Sequence, residues 1–258
     1  MPRIIALANQ KGGVGKTTSA INLSAGLTKF KQKVLLIDMD PQGNGTSGLG
    51  ISKKYLDKTM LDVLMGECPL SNVILKTTTE NLYVAPANMD LVGTESMLSD
   101  KDDHFTRLKK ALSFEAFPNI NEYNYILIDC PPSLGFLTLN GLLSAGGVIV
   151  PVQCEFYALE GLADLLKTIE AIRLRYNPSL SIEGIILTMF DSRTNLSREV
   201  ERELRGHYPD KVYKSVIPRS IRFGEAPSFG EPILTYDRAS LGAQAYFDLA
   251  WEVHHGET

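Results

Sequence analysis

Cysteine is scarce and unpatterned in this sequence. Cys68, Cys130 and Cys154 are the only three, and no two form a C-x-x-C pair. An odd set without metal spacing excludes a disulfide framework and a cluster of paired thiolate ligands, and reads as reduced thiols in a cytoplasmic protein. Long apolar runs are also missing. No stretch approaches the ~20 residues that span a bilayer, and the chain enters an apolar strand pattern at Ile4, so no signal peptide is expected. Nor is there an excess of positive charge: 26 Lys and Arg against 30 Asp and Glu leave a net charge of −4. Binding nucleic acid through overall charge is thereby excluded, and any DNA contact has to come from a local patch. Neither an internal repeat nor a low-complexity linker interrupts the chain.

What is present is the composition of an ordinary soluble globule, 44% apolar and 22% charged over 258 residues. That length suits one large α/β domain, residues 1–258, with a sheet covered on both faces. Short apolar runs predict strands at Ile4–Ala8, Val34–Asp38, Leu82–Pro86, Tyr125–Asp129, Gly147–Val152, Ile182–Met189 and Val212–Ile217. Helices are predicted at Thr17–Phe30, Met60–Met65, Asp90–Phe114, Leu134–Ala145, Leu159–Tyr176, Leu196–Tyr208 and Ala239–His254. This alternation implies a doubly wound, mostly parallel sheet flanked by helices. Residues 47–82 are the least regular stretch and are expected to decorate the sheet edge.

The string Lys11-Gly12-Gly13-Val14-Gly15-Lys16-Thr17-Thr18 follows the first strand and opens the first helix. That is the context of a phosphate-binding loop. Glycines let successive backbone N–H groups turn inward on an anion, and the new helix adds its positive end. Lys16 supplies a point charge for the outer phosphates of a nucleotide, and the Thr17 hydroxyl suits Mg²⁺. The string departs from G-x-x-x-x-G-K-[ST] at its first glycine and places a second lysine, Lys11, at the mouth of the loop.

Two more strands end in carboxylates. Asp38 and Asp40 leave the second strand two residues apart, where either can orient a water or join a metal shell. Asp129 ends the run Tyr125-Ile126-Leu127-Ile128, the place of a Mg²⁺ partner acting through water. Late in the chain, residues 190–222 hold eight basic side chains against five acidic ones. Much of Leu196–Tyr208 reads as a solvated face of mixed sign. Arg193 and Arg222 differ, because each is expected in a polar turn just past a strand end, a position suited to phosphate contact without base reading. On spacing alone, DNA binding stays one alternative among several.

Taken together, these motifs resemble the ParA family of deviant-Walker partition ATPases, its chromosomal Soj branch above all. The resemblance runs through Asn9–Thr18, Asp38-Met39-Asp40-Pro41-Gln42-Gly43-Asn44, Ile128–Ser133, Pro151–Gly161, Thr188–Asp191 with Arg193–Leu196, Ile217-Pro218-Arg219 and Glu225–Ser228. It implies a P-loop fold in which Gly12, Gly13, Val14, Gly15, Lys16, Thr17 and Thr18 bind ATP and Mg²⁺. Lys11 would be the signature lysine that reaches a partner subunit's nucleotide, giving an ATP-dependent homodimer. Asp40 matches the residue that positions the hydrolytic water, Asp129 the Walker B aspartate, and Pro218 and Arg219 the adenine-side loop. The expected metal set is Thr17, Asp40 and Asp129, and Lys11, Lys16 and Asp40 carry the catalysis. Arg193 and Arg222 match arginines that bind double-stranded DNA nonspecifically. The resemblance further implies slow hydrolysis stimulated by a ParB-type partner, and a cytoplasmic, nucleoid-associated location.

A MinD-like membrane-cycling ATPase shares this core. It needs a basic amphipathic C-terminal helix, whereas the stretch Trp251–Thr258 contains no Lys or Arg. The apolar positions Leu241, Ala245, Leu249 and Val253 suggest instead a helix packed on the body. A reductase resembling the nitrogenase iron protein would need cysteines placed to share a cluster, and Cys130 and Cys154 do not supply them.

Overall fold

The structure is a computed structural model that describes residues 1–257. The chain runs β1 (Arg3–Leu7), α1 (Lys16–Thr28), β2 (Val34–Asp38), α2 (Asn44–Gly48), α3 (Met60–Met65), β3 (Leu75–Lys76), β4 (Leu82–Ala85), α4 (Thr94–Leu98), α5 (Arg107–Ala111), β5 (Tyr125–Asp129), α6 (Phe136–Ser144), β6 (Gly147–Gln153), α7 (Ala158–Arg175), β7 (Ser181–Phe190), α8 (Asn195–His207), β8 (Val212–Pro218), α9 (Arg222–Glu225), α10 (Ile233–Tyr236) and α11 (Leu241–His255). All eight strands form one sheet in the order β3-β4-β2-β5-β1-β6-β7-β8. Every pairing is parallel except β3 with β4.

Alternation of side chains along the central strands divides the core in two. Leu35 and Ile37 of β2, with Ile126 and Ile128 of β5, face one helical layer, which includes residues of α3 and of α5 to α8. Val34, Leu36, Tyr125 and Leu127 face the other, built on α1, α10 and α11. Because both faces are covered, β2 and β5 are buried at all five positions, which is why they read as unbroken apolar runs.

The last helix is fixed in the second layer. Ala243, Tyr246, Leu249, Ala250 and Val253 of α11 are buried, and Leu241, expected on the packed face, is exposed instead. Helix α11 approaches α1 so closely that a Cβ on Gly26 would lie 2.6 Å from the Ala250 Cβ. The buried Glu252 carboxylate accepts the backbone N–H groups of Lys214 (2.6 Å) and Ser215 (2.9 Å) and the Ser215 hydroxyl. It thereby satisfies donors of edge strand β8 that have no further strand to pair with. No helix among the described residues is long and apolar enough to cross a membrane.

One expectation needs correction. The helix predicted over Asp90–Phe114 is broken into α4 and α5, with 3-10 turns before each. Between them lies Ser99-Asp100-Lys101-Asp102-Asp103, where short polar side chains compete with the helix for backbone hydrogen bonds. The irregular stretch after residue 47 does decorate an edge, through the two-residue antiparallel strand β3.

Candidate functional site

β1 is the switch point of the sheet, with β5 on one side and β6 on the other. Crevices at the carboxyl ends of such strands are where open α/β sheets take ligands. The chain leaves β1 there and is held on both sides. Asn9 Nδ2 donates to the Pro151 carbonyl of β6 (2.7 Å), and Asn9 Oδ1 accepts the Lys11 N–H (3.0 Å). The loop then turns through Gly13 (φ 76°) and Gly15 (φ 85°), left-handed conformations that a side chain would strain. From β7, the buried Thr188 hydroxyl donates to the Val14 carbonyl (2.8 Å) and clamps the far side of the turn.

Helix α1 starts at Lys16, directly after this turn. Lys16 is 6% exposed, and its Nζ donates to the Lys11 carbonyl (2.9 Å). Burial lowers its pKa, while Asp129, Cys130 and Asp40 pull it back up. A buried ammonium with so little protein compensation is well placed to accept an anion. Lys11 points elsewhere: its ammonium forms an ion pair with Glu155 in the loop between β6 and α7.

The three strand-end aspartates occupy different environments. Asp38 is fully buried and accepts the Thr46 N–H and hydroxyl (both 2.7 Å) and the Asp40 N–H (3.1 Å). Burial pushes it up to about 6, against the pull of those hydrogen bonds. Its acceptors are spent on fixing α2, so the early reading of Asp38 as a water- or metal-orienting group does not fit its contacts. Asp40 is 8% exposed, and among the described residues only its Oδ1 is engaged, by the Gln42 N–H (2.9 Å).

Asp129 pairs in register with Leu7 of β1 and Asp38 of β2. It is fully buried, and neither carboxylate oxygen has a hydrogen-bond partner among the described residues. Its pKa stands well above the ordinary range because of burial and then Asp38, with Thr17 and Lys16 pulling the other way. Buried carboxylates are normally paired, so this orphan beside Thr17 has the chemistry of a hard-cation site. No cluster of three or more His, Cys, Asp or Glu converges among the described residues. The donor set therefore fits a Mg²⁺ that keeps most of its ligands as water and phosphate oxygens.

Beside the loop lies a cavity of about 270 Å³ lined by Gly15, Thr18, Met189, Pro218, Arg219 and Phe223. Met189 has φ 51°, an uncommon value for a side-chain-bearing residue. The cavity is mostly apolar and opens next to the phosphate loop, as a nucleotide base requires. Pro218 and Arg219 were expected here. Thr188, Met189 and Phe223 were not assigned site roles, although a polar residue near the end of the apolar strand β7 was a usable signal for Thr188.

Arg193 and Arg222 leave the same end of the sheet, because Phe190 of β7 pairs with Pro218 of β8 just before them. Arg193 lies in the expected turn. Arg222 is the first residue of the short helix α9 rather than part of a turn. Both are ion-paired: Arg193 with Asp191 (2.7 Å), and Arg222 with Glu225 (2.8 Å) and Asp237 (3.6 Å). The Arg193 guanidinium holds Asp191 far below the usual carboxylate range. The three cysteines are free and buried.

A family model described as an AAA domain matches residues 2–182. The chain is 52% identical to the chromosome partitioning protein ParA of Caulobacter vibrioides, over 97% of this chain and 93% of that protein. It is 51% identical to the sporulation initiation inhibitor protein Soj of Bacillus subtilis, over 98% of each. Among solved structures it is similar to cobyrinic acid a,c-diamide synthase of Mycobacterium smegmatis, crystallised with an ATP analogue and magnesium. There the identity is 38% and the TM-score 0.85, over 99% of this chain and 95% of that one.

Proposed function

This chain belongs to the ParA/Soj family of chromosome-partitioning ATPases, and from that premise we propose that it is a Mg²⁺-dependent ATPase that segregates DNA by switching between monomer and dimer. The observation that carries this reading is the unpaired Asp129 carboxylate next to Thr17 and the buried Lys16, at the mouth of the glycine loop. A cation and a polyphosphate satisfy all three groups at once.

In this reading the N–H groups of residues 12–18 and the Lys16 ammonium hold the phosphates, and the cavity beside Met189 and Phe223 takes the base. Thr17 and Asp129 would hold Mg²⁺, which would supply positive charge against the outer phosphates. Asp40, with one oxygen uncommitted, orients the attacking water. Lys11 leaves Glu155 and reaches across to the partner subunit's γ-phosphate, so each subunit completes the charge balance of the other. Hydrolysis removes that shared phosphate, and the dimer loosens.

Nonspecific binding to double-stranded DNA follows from Arg193 and Arg222. Dimerisation doubles the number of phosphate contacts, and linked contacts multiply affinity. In the cell this predicts a cytoplasmic protein that resides on the nucleoid while ATP-bound and is released when a ParB-type partner stimulates its slow turnover. Binding to a DNA fragment with ATP, with ADP and without nucleotide, at two salt concentrations, tests the scheme. Binding only with ATP, falling steeply with salt, is expected. Equal binding in all three states, or ATP-dependent binding to liposomes instead, overturns it.

A further inference from the structure

A backbone loop presents N–H groups to an anion only if its carbonyls are held facing the other way. In a trans peptide the C=O and the following N–H point in opposite directions, so whatever fixes one aims the other. In the glycine loop the Val14 carbonyl is fixed from another strand: the Thr188 hydroxyl donates to it (2.8 Å), and Thr188 is 2% exposed. The N–H of the same peptide unit belongs to Gly15 and donates to no backbone group among the described residues. It is therefore turned away from Thr188 and toward the inside of the loop, where a phosphate oxygen is expected.

Thr188 is rigidly placed for this task. It pairs with Gln153 in the parallel register of β6 and β7, and its own carbonyl accepts the Cys154 N–H (3.1 Å). Its methyl group packs on the turn as well, since a Cβ on Gly15 would lie 3.7 Å from Thr188 Cγ2. Bonds to Lys11, from Asn9 and Lys16, hold the entry to the loop. Among the described residues no side chain other than Thr188 bonds to the backbone of residues 12–15. Three of those four residues are glycines, whose peptides rotate freely unless they are pinned. Pinning the Val14–Gly15 peptide in advance lowers the ordering cost of binding.

We infer that Thr188 is a positioning residue of the phosphate loop: its hydroxyl orients the Val14–Gly15 peptide so that the Gly15 N–H meets the β-phosphate of the nucleotide. The inference rests on the proposed function for the identity of the anion, but the orientation itself is measurable without nucleotide. T188V keeps the shape of the side chain and deletes the donor, whereas T188S keeps the donor and deletes the methyl. Affinities are read by competition against a fluorescent ATP analogue. In T188V, ATP and ADP are expected to bind about tenfold more weakly. AMP, which lacks the β-phosphate and relies on the start of α1, stays within about twofold of wild type. KM for ATP rises while kcat is nearly unchanged, the pattern of binding lost equally from ground and transition states. T188S returns ADP affinity to within about threefold of wild type. In the nucleotide-free protein the Gly15 amide resonance moves in T188V and stays in place in T188S. If T188V does not fold, T188A deletes the same hydroxyl without setting a methyl against the Val14 carbonyl, and the same measurements apply to it. Equal losses for ADP and AMP, T188S as weak as T188V, or ADP affinity of T188V within about twofold of wild type overturns the inference. Failure of wild type to bind ATP overturns the proposed function instead, and a Gly15 resonance unmoved in T188V then still overturns the inference.

Discussion

Glu155→Gln should tighten the ATP-dependent dimer. In the monomer the Lys11 ammonium is held by Glu155 of its own chain, and in the proposed dimer the same ammonium must turn to the partner's nucleotide. The ion pair is partly solvated, with side-chain exposures of 51% for Lys11 and 29% for Glu155, so its worth is that of a surface pair, about 0.5–1 kcal/mol. Two pairs break per dimer. Their removal from the monomer therefore shifts dimerisation by about 1–2 kcal/mol, roughly a five- to thirtyfold lower dimer Kd. Glutamine keeps the length of the side chain and can still accept a hydrogen bond, which favours the lower end of that range. Sedimentation velocity over a protein concentration series, with a non-hydrolysable ATP analogue and Mg²⁺, reads the constant directly. The gain should shrink as salt rises, because added ions screen the wild-type pair. A dimer constant unchanged within about twofold would mean that Glu155 does not restrain Lys11. A weaker dimer would mean that Glu155 makes a contact across the interface, and either result refutes the reasoning.

Lys16→Ala should abolish ATP binding, and retained affinity in a fluorescent-nucleotide titration would count against the loop assignment. Asp40→Ala should arrest the protein as an ATP-loaded dimer, seen by size-exclusion chromatography, and normal hydrolysis by this variant would contradict its role. Arg222→Ala should weaken DNA binding alike for every sequence and lower the slope of log affinity against log salt by about one, and the loss is deepened because Glu225 and Asp237 are left without their counter-charge. Asp129→Asn should eliminate Mg²⁺-dependent turnover yet raise the thermal midpoint of the nucleotide-free protein. The gain should be largest at pH 8 and shrink toward pH 4. A midpoint difference that does not vary with pH would show that the Asp129 carboxylate is not the strained group.

Much of the site was legible because it is written in contiguous residues. The loop Lys11–Thr18 and the strand-end Asp38, Asp40 and Asp129 each sit beside an apolar run that fixes their place at one end of a parallel sheet. The parts that were not legible depend on distant partners. Asp38 and Asp40 look alike in sequence, and only Thr46, folding back from α2, shows that one is structural. The Thr188 clamp on the Val14 carbonyl spans 174 residues, and the Lys11–Glu155 pair joins two loops with no pattern in common. The break between α4 and α5 was missed for the opposite reason. Its apolar spacing is helical, but local competition from the Ser99–Asp103 side chains overrides the pattern.

The raised carboxylates also bear on how the folded chain would favour a cation. Asp129 and Asp38 both sit above the ordinary carboxylate range because burial disfavours their charged forms. A folded-state pKa raised above the unfolded value means that the folded chain binds protons more tightly, so stability falls as pH climbs from the unfolded pKa through the folded one. For Asp38, at about 6 against an ordinary 3.8, that window lies between pH 4 and 6, and Asp129, raised by the same burial, loses stability in the same direction. Near neutral pH the nucleotide-free protein therefore carries unfavourable electrostatic energy at the carboxyl ends of β2 and β5. A divalent cation held there would reverse the sign at Asp129, since a positive charge favours the ionised form that burial disfavours. Binding Mg²⁺ with ATP should accordingly release protons and stabilise the fold most at the pH where the buried carboxylates are most strained. Titrating nucleotide into weakly buffered protein at pH 6 and pH 8 measures that release. Absence of any proton release at pH 6 would separate the carboxylate from the metal and remove the link between its burial and its chemistry.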